Sequence, residues 1–517
     1  MKQHLAIFAC FILLSCQKKD LEVVDTRFGP VKGYTKDDLH IFKGIPFAQP
    51  PVGDLRWKAP QEPEPWTKVK ECTSFGPSPM QAPPQPFRFW SSEFLIPESP
   101  IGEDCLYLNV WTGAKSSEEK RPVLVYIYGG GFRSGGAGCA IYDGESMAKK
   151  GVVFVTLNYR VGTFGFFAHP ELTKESGNGA SGNYGIMDQI AALRWVKDNI
   201  ASFGGDPENV TIAGQSAGSF AVNILVASPR AQGLFQKAIG QSGGSVLQNP
   251  ERPAYSLSEG EQMGLDFAAQ LNCTSLAELR AKSAEEILNA PNRAVTPIVD
   301  GFVLPQSVHE IFYAGKQNDV ATIVGWNQDD RVSGPPMAAA EYRKSLESRM
   351  ASFAADFLAQ YPDSTEEISA RSQIDIGRDE VFGAQNYAWA KKQSELGKSP
   401  VYIYNFNRDL PYYTDSTNFG AFHSGEIVYA YDNLHTLDRP WKEEDHKLAD
   451  IMSAYWVNFA TKGDPNGDGL PEWPIYKLED EQVMILDVES KSAVLPDKNK
   501  LMLWEKFFSQ PPASEQK

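Results

Sequence analysis

The sequence predicts an α/β fold, with a large, mostly parallel sheet covered on both faces by helices. Three observations carry this. Residues 122–128 (PVLVYIY) and 152–157 (VVFVTL) are near-continuous apolar runs, the mark of central strands buried on both faces. Helical patterns lie between and after such runs, for example GIMDQIAALRWV at 185–196, and strands alternating with helices of this length build parallel β–α–β units. Finally, the stretch 203–219 (FGGDPENVTIAGQSAGS) places a short buried strand at 210–213 directly before a Gly-x-Ser-x-Gly pentapeptide at 214–218, and the apolar run FAVNILV at 220–226 continues as a helix.

In chain order, residues 23–60 hold two strand–turn stretches, VVDTRFGPVKGY and HIFKGIPFA, with little helix signal. Prolines crowd residues 50–100, so an irregular but ordered surface segment is expected there, and its aromatic residues Phe87, Phe89, Trp90 and Phe94 suit the rim of a substrate cleft. Residues 105–111 (CLYLNVW) alternate apolar and polar, as an antiparallel edge strand does. Further strands are expected at 238–241, 321–325 and 401–406, while 255–295 and 338–397 read as helical cap insertions. Length alone suggests about three domains. A single domain over 23–508 is expected instead, because the candidate site draws on residues far apart in the chain, and 509–517 forms a polar tail.

With 42% hydrophobic and 12% aromatic residues, the 517-residue chain can bury a large core and does not have the composition of a disordered chain. A net charge of −16 argues against nucleic acid as a partner. At the N-terminus one lysine precedes the apolar run 5–14. This is about half the roughly 20 residues a membrane helix needs, so it reads as the core of a secretory signal. Residues 13–16 (LLSC) resemble a bacterial lipobox. The expected arrangement is a signal peptide at 1–15, lipidation at Cys16 and a short tether at 16–22. The chain is then exported to the cell envelope as an outer-membrane lipoprotein that meets the membrane only through its lipid. Export permits disulfides, although spacing alone cannot pair the cysteines.

The pentapeptide in its strand–helix context is a nucleophile elbow. A strand that turns straight into a helix strains the central residue and exposes its hydroxyl, and side chains two positions away on either side would collide. Ser216 is the expected nucleophile. An activated serine also needs a base, a group that orients the base, and donors for an oxyanion. Tyr128-Gly129-Gly130-Gly131-Phe132 follows a strong strand with unobstructed amides, so the N–H groups of Gly130 and Gly131, with that of Ala217, are the expected donors. No phosphate-loop pattern accompanies these glycines.

In an elbow fold the chain order is Ser, acid, His, which leaves His423, His435 and His446 as bases. His423 lies in the small-residue loop GAFHSGE after a strand, whereas the other two lie in charged, helix-like surroundings. The acid should end a strand between these residues. Residues 321–330 (ATIVGWNQDD) offer both Asp329 and Asp330, and the residues alone do not choose between them.

Motifs along nearly the whole expected mature chain now carry a resemblance: FKGIPFAQPPVGDLRW, EDCLYLNV, YGGGF, NYRVG, GNYGIMDQ, the elbow, QSG, GAFHSGE and GDPNG, in this order. The chain resembles the type B carboxylesterases, an α/β-hydrolase family that includes bacterial para-nitrobenzyl esterases and the cholinesterases. That resemblance implies the α/β-hydrolase fold and hydrolysis of small-molecule carboxylic esters through an acyl-enzyme, with broad small or aromatic substrates. It assigns the acid to Asp330, where the family usually has glutamate. It also implies a Cys72–Cys105 disulfide, free buried thiols at Cys139 and Cys273, and a structural ion pair between Arg56 and Glu103. The residue before the nucleophile is Gln215 where cholinesterases have glutamate, which removes a charge that a cationic choline ester would use. A serine mechanism requires neither metal nor organic cofactor. The stretch 464–469 (DPNGDG) opens like a calcium loop, but the twelfth position is Ile475, so an Asx-stabilised turn is expected. The alternative from another functional class is a catalytically silent binding or adhesion protein on the same fold; such relatives have usually lost the serine or histidine that this chain keeps.

Overall fold

The computed structural model describes residues 21–291, 296–332, 334–413 and 418–510. The expected signal peptide, Cys16, most of the tether and most of the tail lie outside them. Eleven strands form the main sheet: β1 (Tyr34–Lys36), β2 (Leu39–Pro46), β3 (Tyr107–Thr112), β4 (Arg121–Ile127), β5 (Val153–Leu157), β6 (Gly205–Gln215), β7 (Lys237–Gln241), β8 (Ala321–Asn327), β9 (Val401–Phe406), β10 (Gln482–Leu486) and β11 (Lys491–Val494). Their spatial order is 11-10-9-8-7-6-4-5-3-2-1. The run from β5 to β10 is parallel throughout, and antiparallel pairs flank it at both ends.

Strands β5, β8 and β9 are buried along their whole length. Successive strand residues face opposite sides, so complete burial means that both faces are covered. The helix Ala217–Ala227 (α1) packs on β6 and β7, Ala384–Leu396 (α2) on β8 and β9, and Glu443–Lys462 (α3) on β4 and β6. Further helices fill the two expected helical regions, among them Leu257–Gln270, Ala339–Met350 and Glu366–Arg378. The last part of the second region is not an insertion, since α2 lies against the sheet. Among the described residues no helix is long and apolar enough to cross a membrane.

Strand β3 is antiparallel as its alternation suggests, but it is not an edge: β5 pairs on one side and β2 on the other. Its polar residue is satisfied internally. Asn109 accepts from the Gly44 amide at 2.9 Å and donates to Thr156 Oγ1 at 2.9 Å. Strands β10 and β11 are additional to those expected from the sequence.

The expected Cys72–Cys105 bridge does not form: both are free, buried thiols, as are Cys139 and Cys273. A disulfide needs its sulfurs about 2.05 Å apart. Instead Cys72 is tied by its backbone to Lys32 and Lys43, with Sγ 3.9 Å from the Gly44 carbonyl, while Cys105 is sealed beside Arg160 and Asp188. Burial pushes the Cys72 thiol up to about 12. Arg56 does meet Glu103, through Nε at 2.6 Å and Nη2 at 2.5 Å. In the loop at 464–469, Asp464 Oδ1 accepts the Asn466 amide at 2.9 Å, an Asx turn.

Candidate active site

Strand β6 ends at Gln215 and α1 begins at Ala217, so Ser216 alone makes the turn, with φ 56° and ψ −126°. A positive φ at a non-glycine residue costs of order 1–3 kcal/mol and persists only where the surroundings enforce it. The flanking glycines enforce it here. A Cβ on Gly214 would stand 2.5 Å from the Gly218 backbone, and one on Gly218 would strike the Ile127 carbonyl. The Ser216 amide is anchored to the Gln241 carbonyl at 2.9 Å. Ser216 keeps partial exposure, whereas Gly214, Gln215, Ala217 and Gly218 are buried.

The acid and the histidine are joined by a backbone zipper beyond β8. Asp329 and Phe422 form a parallel bridge, the Asp329 amide donates to the Ala421 carbonyl at 3.0 Å, and Asn327 Nδ2 donates to the Phe422 carbonyl at 2.8 Å. The two adjacent carboxylates then diverge. Asp330 Oδ1 lies 2.5 Å from His423 Nδ1, and its other oxygen accepts the Asn327 amide at 3.0 Å. Asp329 turns away, accepting the Ala421 amide at 2.9 Å and pairing with Arg371. Asp330 and His423 are almost completely buried. Because a carboxylate at this distance accepts the Nδ1 proton, Nε2 carries the free lone pair.

Among the described residues no hydrogen bond joins Ser216 Oγ to His423. The neighbour of Nε2 is the Gln215 carboxamide nitrogen at 3.3 Å, whose oxygen accepts from Ser424 Oγ at 3.1 Å. Serine–histidine contacts are often loose without substrate and tighten when it binds.

The glycine loop lies directly beside the elbow: a Cβ on Gly129 would stand 3.0 Å from Ser216 Cβ and 2.6 Å from the Gln215 carbonyl. Among the described residues the amides of Gly130, Gly131 and Ala217 have no intramolecular acceptor. Unclaimed N–H groups at a helix start, beside a strained serine, suit a negatively charged oxygen.

Two aromatic rings fix the imidazole. Phe382 stacks on it at 4.7 Å and 15°, and Trp90 stands edge-on at 6.1 Å and 89° with its indole N–H donating to Ser424 Oγ at 3.4 Å. Of the expected rim residues, Phe89 packs on Phe422 at 4.7 Å, and Phe87 is exposed. Phe382 escaped the sequence reading, because a π-helical turn at Asp379–Gly383 sets its direction and leaves no periodic signal. Glu426 also escaped it. This residue is wholly buried and bonded to Asn327 Nδ2 at 2.5 Å and Gln241 Nε2 at 3.3 Å. Burial, with the Asp330 charge nearby, pushes its carboxyl up to about 8. The only signal for it was its place three residues after His423.

The sequence pattern of the Carboxylesterase family matches residues 20–504. The chain is 34% identical over 508 residues to a fumonisin B1 esterase of Sphingopyxis macrogoltabida, covering 92% of this chain and 88% of that one. It is 34% identical over 491 residues to the para-nitrobenzyl esterase of Bacillus subtilis (strain 168), covering 90% and 95%. The solved structure of a Geobacillus stearothermophilus carboxylesterase superposes with a TM-score of 0.79 at 32% identity, covering 93% of this chain and 100% of that one. The fold is that of the α/β-hydrolases.

Proposed function

We propose, given that this chain belongs to the carboxylesterase family and is a carboxylic ester hydrolase, that it works as a serine esterase through an acyl-enzyme on Ser216. Asp330 holds the Nδ1 proton of His423 and so keeps the Nε2 lone pair toward the reaction. As substrate binds, the Ser216 hydroxyl turns to Nε2, gives up its proton and attacks the ester carbonyl. The amides of Gly130, Gly131 and Ala217 take up the charge that develops on the carbonyl oxygen, each worth roughly 10²–10³ in rate. The tetrahedral intermediate collapses, the alcohol leaves with the proton from His423, and a water repeats the sequence on the acyl-enzyme.

The observation that carries this reading is the Asp330–His423 hydrogen bond, closed from solvent, in one site with the positive-φ serine and three unclaimed amides. The aromatic walls from Trp90, Phe89 and Phe382 favour small or aromatic esters, in keeping with a relative named para-nitrobenzyl esterase. We place the enzyme in the cell envelope, anchored through a lipid on Cys16.

Ser216→Ala tests the mechanism. The variant should melt within a few degrees of the parent, lose hydrolysis of p-nitrophenyl acetate and lose labelling by a fluorophosphonate probe. Retained turnover would remove Ser216 from the mechanism.

A further inference from the structure

The glycine loop has little stiffness of its own, since glycine has the largest backbone freedom of any residue. Within the loop, one peptide is fixed locally. The Gly130 carbonyl accepts from the Arg133 amide at 3.0 Å, the Ser134 amide at 3.1 Å and Ser134 Oγ at 3.2 Å. The peptide is planar and trans, so holding this carbonyl on one side aims the Gly131 N–H to the other. That aim is only as good as the position of residues 133–135, which form the returning arm.

The returning arm is held from far away in sequence. Gln81, in the proline-dense segment, is 4% exposed. Its Nε2 donates to the Gly135 carbonyl at 2.7 Å, and its Oε1 accepts the Gly135 amide at 2.8 Å. The carboxamide thus engages both polar groups of one residue, as a strand partner would. A second donation, from Nε2 to the Pro79 carbonyl at 2.9 Å, orients the carboxamide itself. Gly135 in turn abuts the start of the loop: at its φ of 110°, a Cβ would stand 2.5 Å from the Gly129 carbonyl and 2.5 Å from the Tyr128 ring. Fixing Gly135 therefore fixes Gly129, which touches the elbow.

We propose that Gln81 is a positioning residue for the oxyanion hole: its two-point clamp on the Gly135 backbone holds the amides of Gly130 and Gly131 at the reacting oxygen. The proposal rests on reading those amides as oxyanion donors. Gln81 itself touches neither substrate nor serine. Its contribution belongs to the transition state, where the oxygen carries charge, and not to ground-state binding. Only a carboxamide supplies this pattern, because an ionised glutamate cannot donate, a protonated one has a single hydrogen for the Gly135 and Pro79 carbonyls, and a methionine of similar length has no donor.

Gln81→Met and Gln81→Glu decide the matter, with p-nitrophenyl acetate as substrate. In Gln81→Met kcat should fall by about 10- to 100-fold, with KM within about threefold, since a misplacement of the order of 1 Å can cost about 10²-fold. Affinity for an alkyl trifluoromethyl ketone, which forms a tetrahedral oxyanion on the serine, should fall by the same factor as kcat. A merely structural role would lower the melting temperature without this parallel loss. Gln81→Glu, assayed up to about pH 9 so that its buried carboxyl ionises, sets a negative charge against the Gly135 carbonyl and should lose at least as much there; it decides alone if Gln81→Met does not fold. Either folded variant with kcat and inhibitor affinity within twofold of the parent overturns the proposal. Ser216→Ala separates the two levels: if it is inactive while Gln81→Met is unaffected, only the clamp fails; if it stays active, the serine mechanism itself falls.

Discussion

His423 Nδ1 lies 2.5 Å from Asp330 Oδ1, and neither residue reaches solvent to any useful extent. The adjacent Asp329 faces the other way, onto the Ala421 amide and Arg371. One carboxylate therefore orients the imidazole, and its neighbour holds the loop that carries the imidazole.

Exchange of the two carboxylates for amides should separate these duties. Asp330→Asn can donate to Nδ1 and so favours the tautomer with its proton on Nε2, where the serine needs a base; kcat should fall by about 10⁴-fold with little change in KM. Asp329→Asn keeps an acceptor for the Ala421 amide and loses the charge opposite Arg371. It should lower stability by about 1 kcal/mol and leave kcat within about tenfold. Steady-state kinetics and urea denaturation on the two variants check this. The reverse pattern would assign the acid to Asp329.

How much of this was legible in the sequence depends on how local each constraint is. The elbow was readable because its glycines collide with their immediate neighbourhood, and only a few residues satisfy that geometry. The choice between Asp329 and Asp330 was not readable from the residues alone. Alternation sends them to opposite sides, but which side holds His423 depends on pairing with Phe422, far along the chain. Asn109 made β3 look like an edge because its partners, Gly44 and Thr156, come from distant segments. Cysteine spacing carried no information about sulfur separation, so the disulfide expected from family resemblance had no geometric check. The contacts that single out Phe382 and Gln81, with His423 and Gly135, join segments far apart in the chain.

Phe382 should matter more to rate than its distance from the ester suggests. It is 2% exposed and stacks on His423 at 4.7 Å from the π-helical turn. Phe382→Leu keeps most of the apolar volume but loses the flat face against which the imidazole lies. An expected stability loss of about 1–2 kcal/mol should accompany a fall in kcat of about tenfold. Phe382→Tyr, which keeps the ring, should retain more of kcat than Phe382→Leu. Equal kcat in the two variants would show that the stacked face does not orient the base.

Glu426 gives a stability prediction with a definite sign. Its carboxyl is pushed from an ordinary 4.5 up to about 8, first by burial and then by the Asp330 charge. Between these two values the native chain keeps a proton that the unfolded chain has lost. Stability therefore falls as pH rises through this window, and the penalty is complete above about 8. Below about 4.5 both states hold the proton and the group contributes nothing to the slope. Glu426→Gln is neutral at every pH and keeps an oxygen for Asn327. Relative to the parent, the variant should gain stability from about pH 5 to about pH 8 and level off by about pH 9, with the two chains most alike at the acid end. Urea midpoints across that range measure the difference, and a difference that does not change with pH would mean that Glu426 is ionised in the folded protein.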